Sequence, residues 1–155
     1  MLKVVVRYPT MPEEHAIVER ALHPGPGPQS ILRPEDLVRM QQQVARVYAD
    51  PAVVDYAVRL VAATRAPGTV GLGDLDRYVT YGASPRASIA LLLGGRALAF
   101  LRGRDYVLPQ DVAELALEVL RHRLVLSYEA LADDIDPDTV ITGVLRAVRL
   151  SLIHI

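Results

Sequence analysis

The sequence predicts an all-α fold, a helical bundle preceded by one short strand. Prolines stand repeatedly where helices would start, and apolar residues recur at helical spacing behind them. A composition of 51% hydrophobic and 23% charged residues is that of an ordinary globular chain. At 155 residues one domain is enough, and a domain of this size buries roughly 70% of its unfolded surface.

The elements follow in chain order. Val4-Val5-Val6 is a β-branched run closed by Pro9, which predicts a strand over Leu2 to Tyr8. A lone strand leaves its backbone groups unpaired, so the expectation is that the chain is a fragment. Thr10 and Glu13 have capping-box spacing around Pro12 and predict a helix start. His23 to Pro28, HPGPGP, breaks that helix. Pro34, followed by Glu35-Asp36, opens the next, with a stripe of Leu37, Met40, Val44 and Val47. Asp50-Pro51 opens a third, striped by Val54, Ala57, Val58 and Val61. Ala66 to Gly73, APGTVGLG, is a second irregular stretch.

Ser84-Pro85 starts the segment to Arg102, which is apolar almost all round and is predicted to be the central, most buried helix, ended by Gly103. In the loop that follows, Asp105 is expected to hold backbone amides. Pro109 opens a helix with Val112, Ala116, Val119 and Leu120 inward; Arg121-His122-Arg123 suits its negative end. Asp136-Pro137 opens the last, with Val140, Ile141, Val144, Leu145 and Val148. Residues 151–155 extend an apolar end without a cap and read as an artificial or reading-frame scar.

Composition excludes several classes. A net charge of −1 gives no global attraction for nucleic acid or anionic lipid. Without cysteine there is no disulfide or thiolate metal site, and four scattered histidines make no ligand spacing, so no metal site is expected. Ala87 to Leu101 is shorter than a membrane span of about 20 residues, and Arg96 interrupts it. No signal-peptide core is present, and the simplest expectation is a cytoplasmic location. Asp133 to Asp136 lacks the glycine and distal glutamate of a calcium loop and reads as a solvated acidic turn. No serine has a nucleophile-elbow context.

The informative stretch is Tyr81-Gly82-Ala83-Ser84-Pro85-Arg86-Ala87. Ser84 is expected to cap and Pro85 to begin the helix, so Arg86 falls in its first turn. A cation there opposes the helix dipole at about 0.3–1 kcal/mol, whereas an anion would be favoured by the dipole, the free amides and the arginine together. Arg86 therefore fits beside a phosphate; pairing with a nearby aspartate, or snorkelling to water, is the structural alternative. Helical spacing puts it on the face of Ala90, Leu93 and Ala97, expected to be packed.

YPTMPEEHAIVERAL (Tyr8 to Leu22), YGASPRASIALLLGGRALAFLRGRDYVLPQDV (Tyr81 to Val112) and VLRHRLVLSYEAL (Val119 to Leu131) resemble the MoxR branch of AAA+ ATPases. The resemblance spans about residues 2 to 150 and implies the helical lid of such an enzyme. It implies that Arg86 is the sensor 2 arginine, a catalytic and cofactor-binding residue reaching the γ-phosphate of ATP. It implies that Tyr8 and Pro9 form the hinge to the core, and that the hinge and Gly82-Ala83 lie near adenine. Residues 1–9 would be the last core strand and hinge, and 10–150 the lid.

The core is not in this sequence. Lys3 is the single lysine and no phosphate loop surrounds it; no acidic strand end is present to hold magnesium. ATP and magnesium are thus expected only in the full-length protein, and the fragment alone is expected to have no activity. The resemblance further implies a homo-oligomeric ring, a hexamer, with a chaperone-like role and a von Willebrand factor A-domain partner. A free-standing helical adaptor that binds a peptide between its helices is the alternative. Nucleic-acid binding is disfavoured by charge.

Overall fold

The computed structural model describes residues 2–148. Helices α1 (Met11–Leu22), α2 (Pro34–Val44) and α3 (Pro51–Ala63) come first. A 3₁₀ turn (Pro67–Val70), the short α4 (Gly73–Asp76) and strand β1 (Val79–Tyr81) follow. Then come α5 (Pro85–Leu101), α6 (Pro109–Glu114), α7 (Ala116–Leu120), strand β2 (Val125–Leu126), α8 (Tyr128–Ala132) and α9 (Pro137–Ala147). The architecture is helical, as the sequence predicts; β1 and β2 form an antiparallel pair, Val79 opposite Leu126 and Tyr81 opposite Val125. Residues 151–155, read above as a scar, lie outside the described residues.

Proline and acidic side chains set the helix starts. Asp50 accepts the Ala52 amide at 2.8 Å and Asp136 the Thr139 amide at 2.7 Å. Where no acceptor precedes the proline, an aspartate further on reaches back: Asp36 takes the Arg33 amide at 3.0 Å and Asp111 the Leu108 amide at 2.8 Å. Glu13 accepts from both the amide and the hydroxyl of Thr10, each at 2.7 Å. Gly103 takes φ +71°, the left-handed conformation a glycine tolerates at a helix end.

α5 packs against α3, α6 and α7, and α9 closes on α7 and α3. Their shared core holds Val53, Leu60, Val61, Leu91, Val112, Val119, Leu120, Val140, Ile141 and Val144. Four expectations are corrected. First, α5 is not the most buried helix: over 17 residues it buries only Ala87, Ser88, Leu91, Gly95 and Ala99, while α3 buries Val53, Tyr56, Ala57, Leu60, Val61 and Ala63 within 13. The buried i, i+4 row of α5 is Ala87, Leu91, Gly95 and Ala99, three of them small, so it covers little area while letting neighbours come close: a Cβ on Gly95 would stand 3.1 Å from Val107 Cγ1. Second, Val54 and Val58 are exposed, because the inward face of α3 carries Val53, Tyr56 and Leu60; Leu37 of the α2 stripe is exposed as well. Third, the helix after Pro109 is two helices broken at Leu115. Fourth, Leu2 to Tyr8 forms no strand; no strand partner lies beside it among the described residues, and only Lys3 is pinned, its amide donating to the Glu118 carbonyl at 2.8 Å.

Candidate functional site

The start of α5 is held from behind by the end of α3. Thr64, fully buried, donates its hydroxyl to the Val61 carbonyl at 2.7 Å and accepts the Ala83 amide at 3.0 Å. Gly82 lies so close to this helix end that a Cβ would stand 2.4 Å from the Thr64 carbonyl oxygen and 2.6 Å from Arg65 Cα. Only glycine permits that approach. From the other side, β1 pairs with β2 and the Ser127 amide donates to the Tyr78 carbonyl at 2.9 Å. The Gly82-Ala83 turn is therefore fixed by the third helix and by the strand pair.

Arg86 emerges from this anchored turn into solvent and makes no hydrogen bond or ion pair among the described residues. Its face is corrected: Leu93 and Ile89 are each 57% exposed and Ala90 and Ala97 half-buried, so it is the open side of α5, not the packed one. A helix apolar all round gives no periodicity by which to choose the inward face. Ser84 occupies the cap position, but its side chain accepts no amide, and its backbone carbonyl takes the Ala87 amide at 2.8 Å instead.

Of the remaining sequence-derived site residues, Ala83 is fully buried, and Tyr8 and Pro9 are exposed. Tyr8 and Pro9 line a shallow pocket with Val6, Arg7, Glu13, Ala16, Ile17 and Arg20, which includes neither Gly82, Ala83 nor Arg86. The structure thus brings Gly82, Ala83 and Arg86 together and leaves Tyr8 and Pro9 on a separate arm.

Two ionic clusters escaped the sequence reading. Asp111, its side chain 1% exposed, receives Arg104 through two nitrogens at 2.8 and 2.6 Å and Arg102 at 3.0 Å, besides the Leu108 amide. Burial pushes its carboxyl up, but the Arg104 hydrogen bonds, the Leu108 amide and Arg102 outweigh it and hold it below the usual carboxylate range. This aspartate, rather than Asp105, secures the loop between α5 and α6; Asp105 contributes its backbone carbonyl to the Tyr48 amide at 2.8 Å. Arg121 is likewise corrected: beyond complementing a helix dipole, it forks onto Asp138 of α9 at 2.7 and 2.8 Å and donates to the Lys3 carbonyl at 3.1 Å. Arg102-Gly-Arg104 shortly before Asp111 was the available signal, but only the turn at Gly103 folds those side chains together.

The acidic turn is partly structural, since Asp133 accepts the Tyr78 hydroxyl at 2.8 Å. Among the described residues no group of three or more His, Cys, Asp and Glu side chains converges to hold a metal ion. No helix of the described residues is long and apolar enough to cross a membrane.

Comparison with known proteins places this geometry. Residues 74–144 match the family described as the AAA lid domain. The chain is 47% identical over 154 residues to the chaperone MoxR1 of Mycobacterium tuberculosis, covering 99% of itself and 41% of that protein. It is 32% identical over 152 residues to the uncharacterized protein YeaC of Bacillus subtilis, covering 97% of itself and 45% of the relative. The crystal structure of a candidate ATPase from Cytophaga hutchinsonii superposes with a TM-score of 0.91 at 34% identity, over 97% of this chain and 46% of that one. The chain thus spans less than half the length of the relatives it matches.

Proposed function

This chain is a MoxR-type AAA+ lid domain, and we propose that it closes over ATP held by its own AAA+ core, with Arg86 as the contact to the γ-phosphate. The observation that carries this reading is the place of Arg86. It stands exposed and, among the described residues, without an ion pair in the first turn of α5, directly after a turn held by the Thr64 hydroxyl and the strand pair. A guanidinium offers a phosphate oxygen a charged, forked donor, so Arg86 fits the nucleotide. The residues of this turn do not form a magnesium site, and magnesium would be held by the core.

When bound, ATP supplies the transferable phosphoryl group. Arg86 neutralises charge at its far end, the Gly82-Ala83 turn lies toward adenine, and Tyr8-Pro9 acts as hinge between core and lid. Residues 1–9 are then the end of the core and residues 10–150 the lid. A ligand shifts such an equilibrium only through differential affinity, so closure follows the difference ATP and ADP make at Arg86. By the same reading the full-length protein is a cytoplasmic hexameric ring with a chaperone-like role and a von Willebrand factor A-domain partner, and the lid alone is inactive. The exposed apolar residues of the arm, among them Val5, Val6, Ile17 and Val18, are surface for the core to cover.

Steady-state turnover of the full-length ATPase tests this. Arg86→Ala is expected to lower hydrolysis at least tenfold, and Arg86→Lys to restore it only in part, because an ammonium lacks the planar fork. Unchanged turnover in Arg86→Ala would sink the reading.

A further inference from the structure

Resting on that reading of Arg86, we infer that Thr64 is its positioning residue, setting where the guanidinium stands without touching nucleotide. Thr64 closes the end of α3 and lies 19 positions before Ala83, to which it is tied by a buried hydrogen bond of 3.0 Å. Its hydroxyl is fully used, donating to Val61 and accepting from Ala83, and the residue has no exposure. The Thr64 carbonyl is the surface on which Gly82 rests at a distance only glycine allows. Between Ala83 and Arg86 stand only Ser84 and Pro85, whose ring fixes φ near −65°. A displacement of the Ala83 amide therefore passes to the first turn of α5 with little slack. A charge that must meet a phosphate oxygen is sensitive to ångström-scale misplacement.

The alternative is that Thr64 only stabilises the fold, and the two roles differ in a measurable way. Thr64→Val keeps the shape and removes the hydroxyl, leaving the Ala83 amide without its partner; Thr64→Ser keeps the hydroxyl. In the full-length ATPase, Thr64→Val is expected to lower kcat/KM for ATP about tenfold and Thr64→Ser to stay within about twofold of wild type. Added to Arg86→Ala, Thr64→Val should cost nothing further, because the side chain it positions is gone.

An equal loss in both backgrounds, or a loss in Thr64→Val that Thr64→Ser shares, assigns Thr64 to the fold and overturns the inference. Should Thr64→Val not fold, Thr64→Ala removes the same hydroxyl and is read in the same cycle: non-additivity with Arg86→Ala supports positioning, additivity refutes it. Arg86→Ala alone separates the failures. If it leaves kcat/KM unchanged, the proposed function falls and this inference with it; if it lowers kcat/KM and neither Thr64→Val nor Thr64→Ala does, only the role of Thr64 falls.

Discussion

Helices α1 and α3 are nearly the same length, 12 and 13 residues, and both start beside a proline with a carboxylate bonded at the cap. Both carry apolar residues at helical spacing. Yet α1 buries nothing, with Met11, Ile17, Val18 and Leu22 all at least half exposed, while α3 buries six of its side chains, Leu60 and Val61 completely. Local rules made each a helix; only a partner made one of them core. α3 has α5, α6 and α9 against it, whereas α1 presents an equivalent stripe to solvent in a chain that spans 41% of its relative's length. An amphipathic face is a demand for a partner, and its strength does not reveal whether that partner lies in the same segment of chain.

The sharpest test of the contrast lies in the body. Asp111→Ala removes the carboxylate that two arginines and an amide share, leaving Arg104, largely buried, without a counter-charge and with only the Tyr106 carbonyl to donate to among the described residues. Loss of one partner of a buried pair costs about 3–5 kcal/mol. Urea unfolding should show a loss of that order, and a loss below 1 kcal/mol would mean that the body is not held at the corner between α5 and α6.

Acid should reach the same corner. The Asp111 carboxyl is depressed in the folded chain, so its contribution is present above the unfolded value near 3.9 and is lost as pH falls through the lower folded value. Stability should therefore drop steeply below about pH 4 in the wild type and less in Asp111→Ala. Identical pH profiles for the two proteins would contradict the assignment.

Truncation in the arm should do little. Ile17→Ala in this chain should shift stability by no more than about 0.5 kcal/mol, as for surface positions generally, against the roughly 2–5 kcal/mol expected for Leu60→Ala. In the full-length protein the arm variant should become costly if the core covers that face as proposed. Equal costs for Ile17→Ala and Leu60→Ala in the short chain would break the comparison.

The smallest effect belongs to Arg86. Exposed, unpaired and opposed to the helix dipole, it should leave the melting temperature of this chain unchanged or slightly raised when replaced by alanine. A clear fall in melting temperature would make it a structural residue.

What the sequence determined by itself was local. Pro34, Pro51, Pro85, Pro109 and Pro137 fixed the helix starts through a rigid φ and a missing amide, and Gly103 fixed an end through its left-handed φ. The match of Tyr81 to Val112 to the MoxR pattern also made Arg86 legible as a site candidate. What tertiary structure decided was every relation across distance. The side of α5 that packs, the joining of Arg102 and Arg104 to Asp111, and the anchoring of Ala83 by Thr64 could not be read from spacing. A helix apolar all round offers several equivalent faces, and a hydroxyl or carboxylate has no partner until the chain folds one to within about 3 Å.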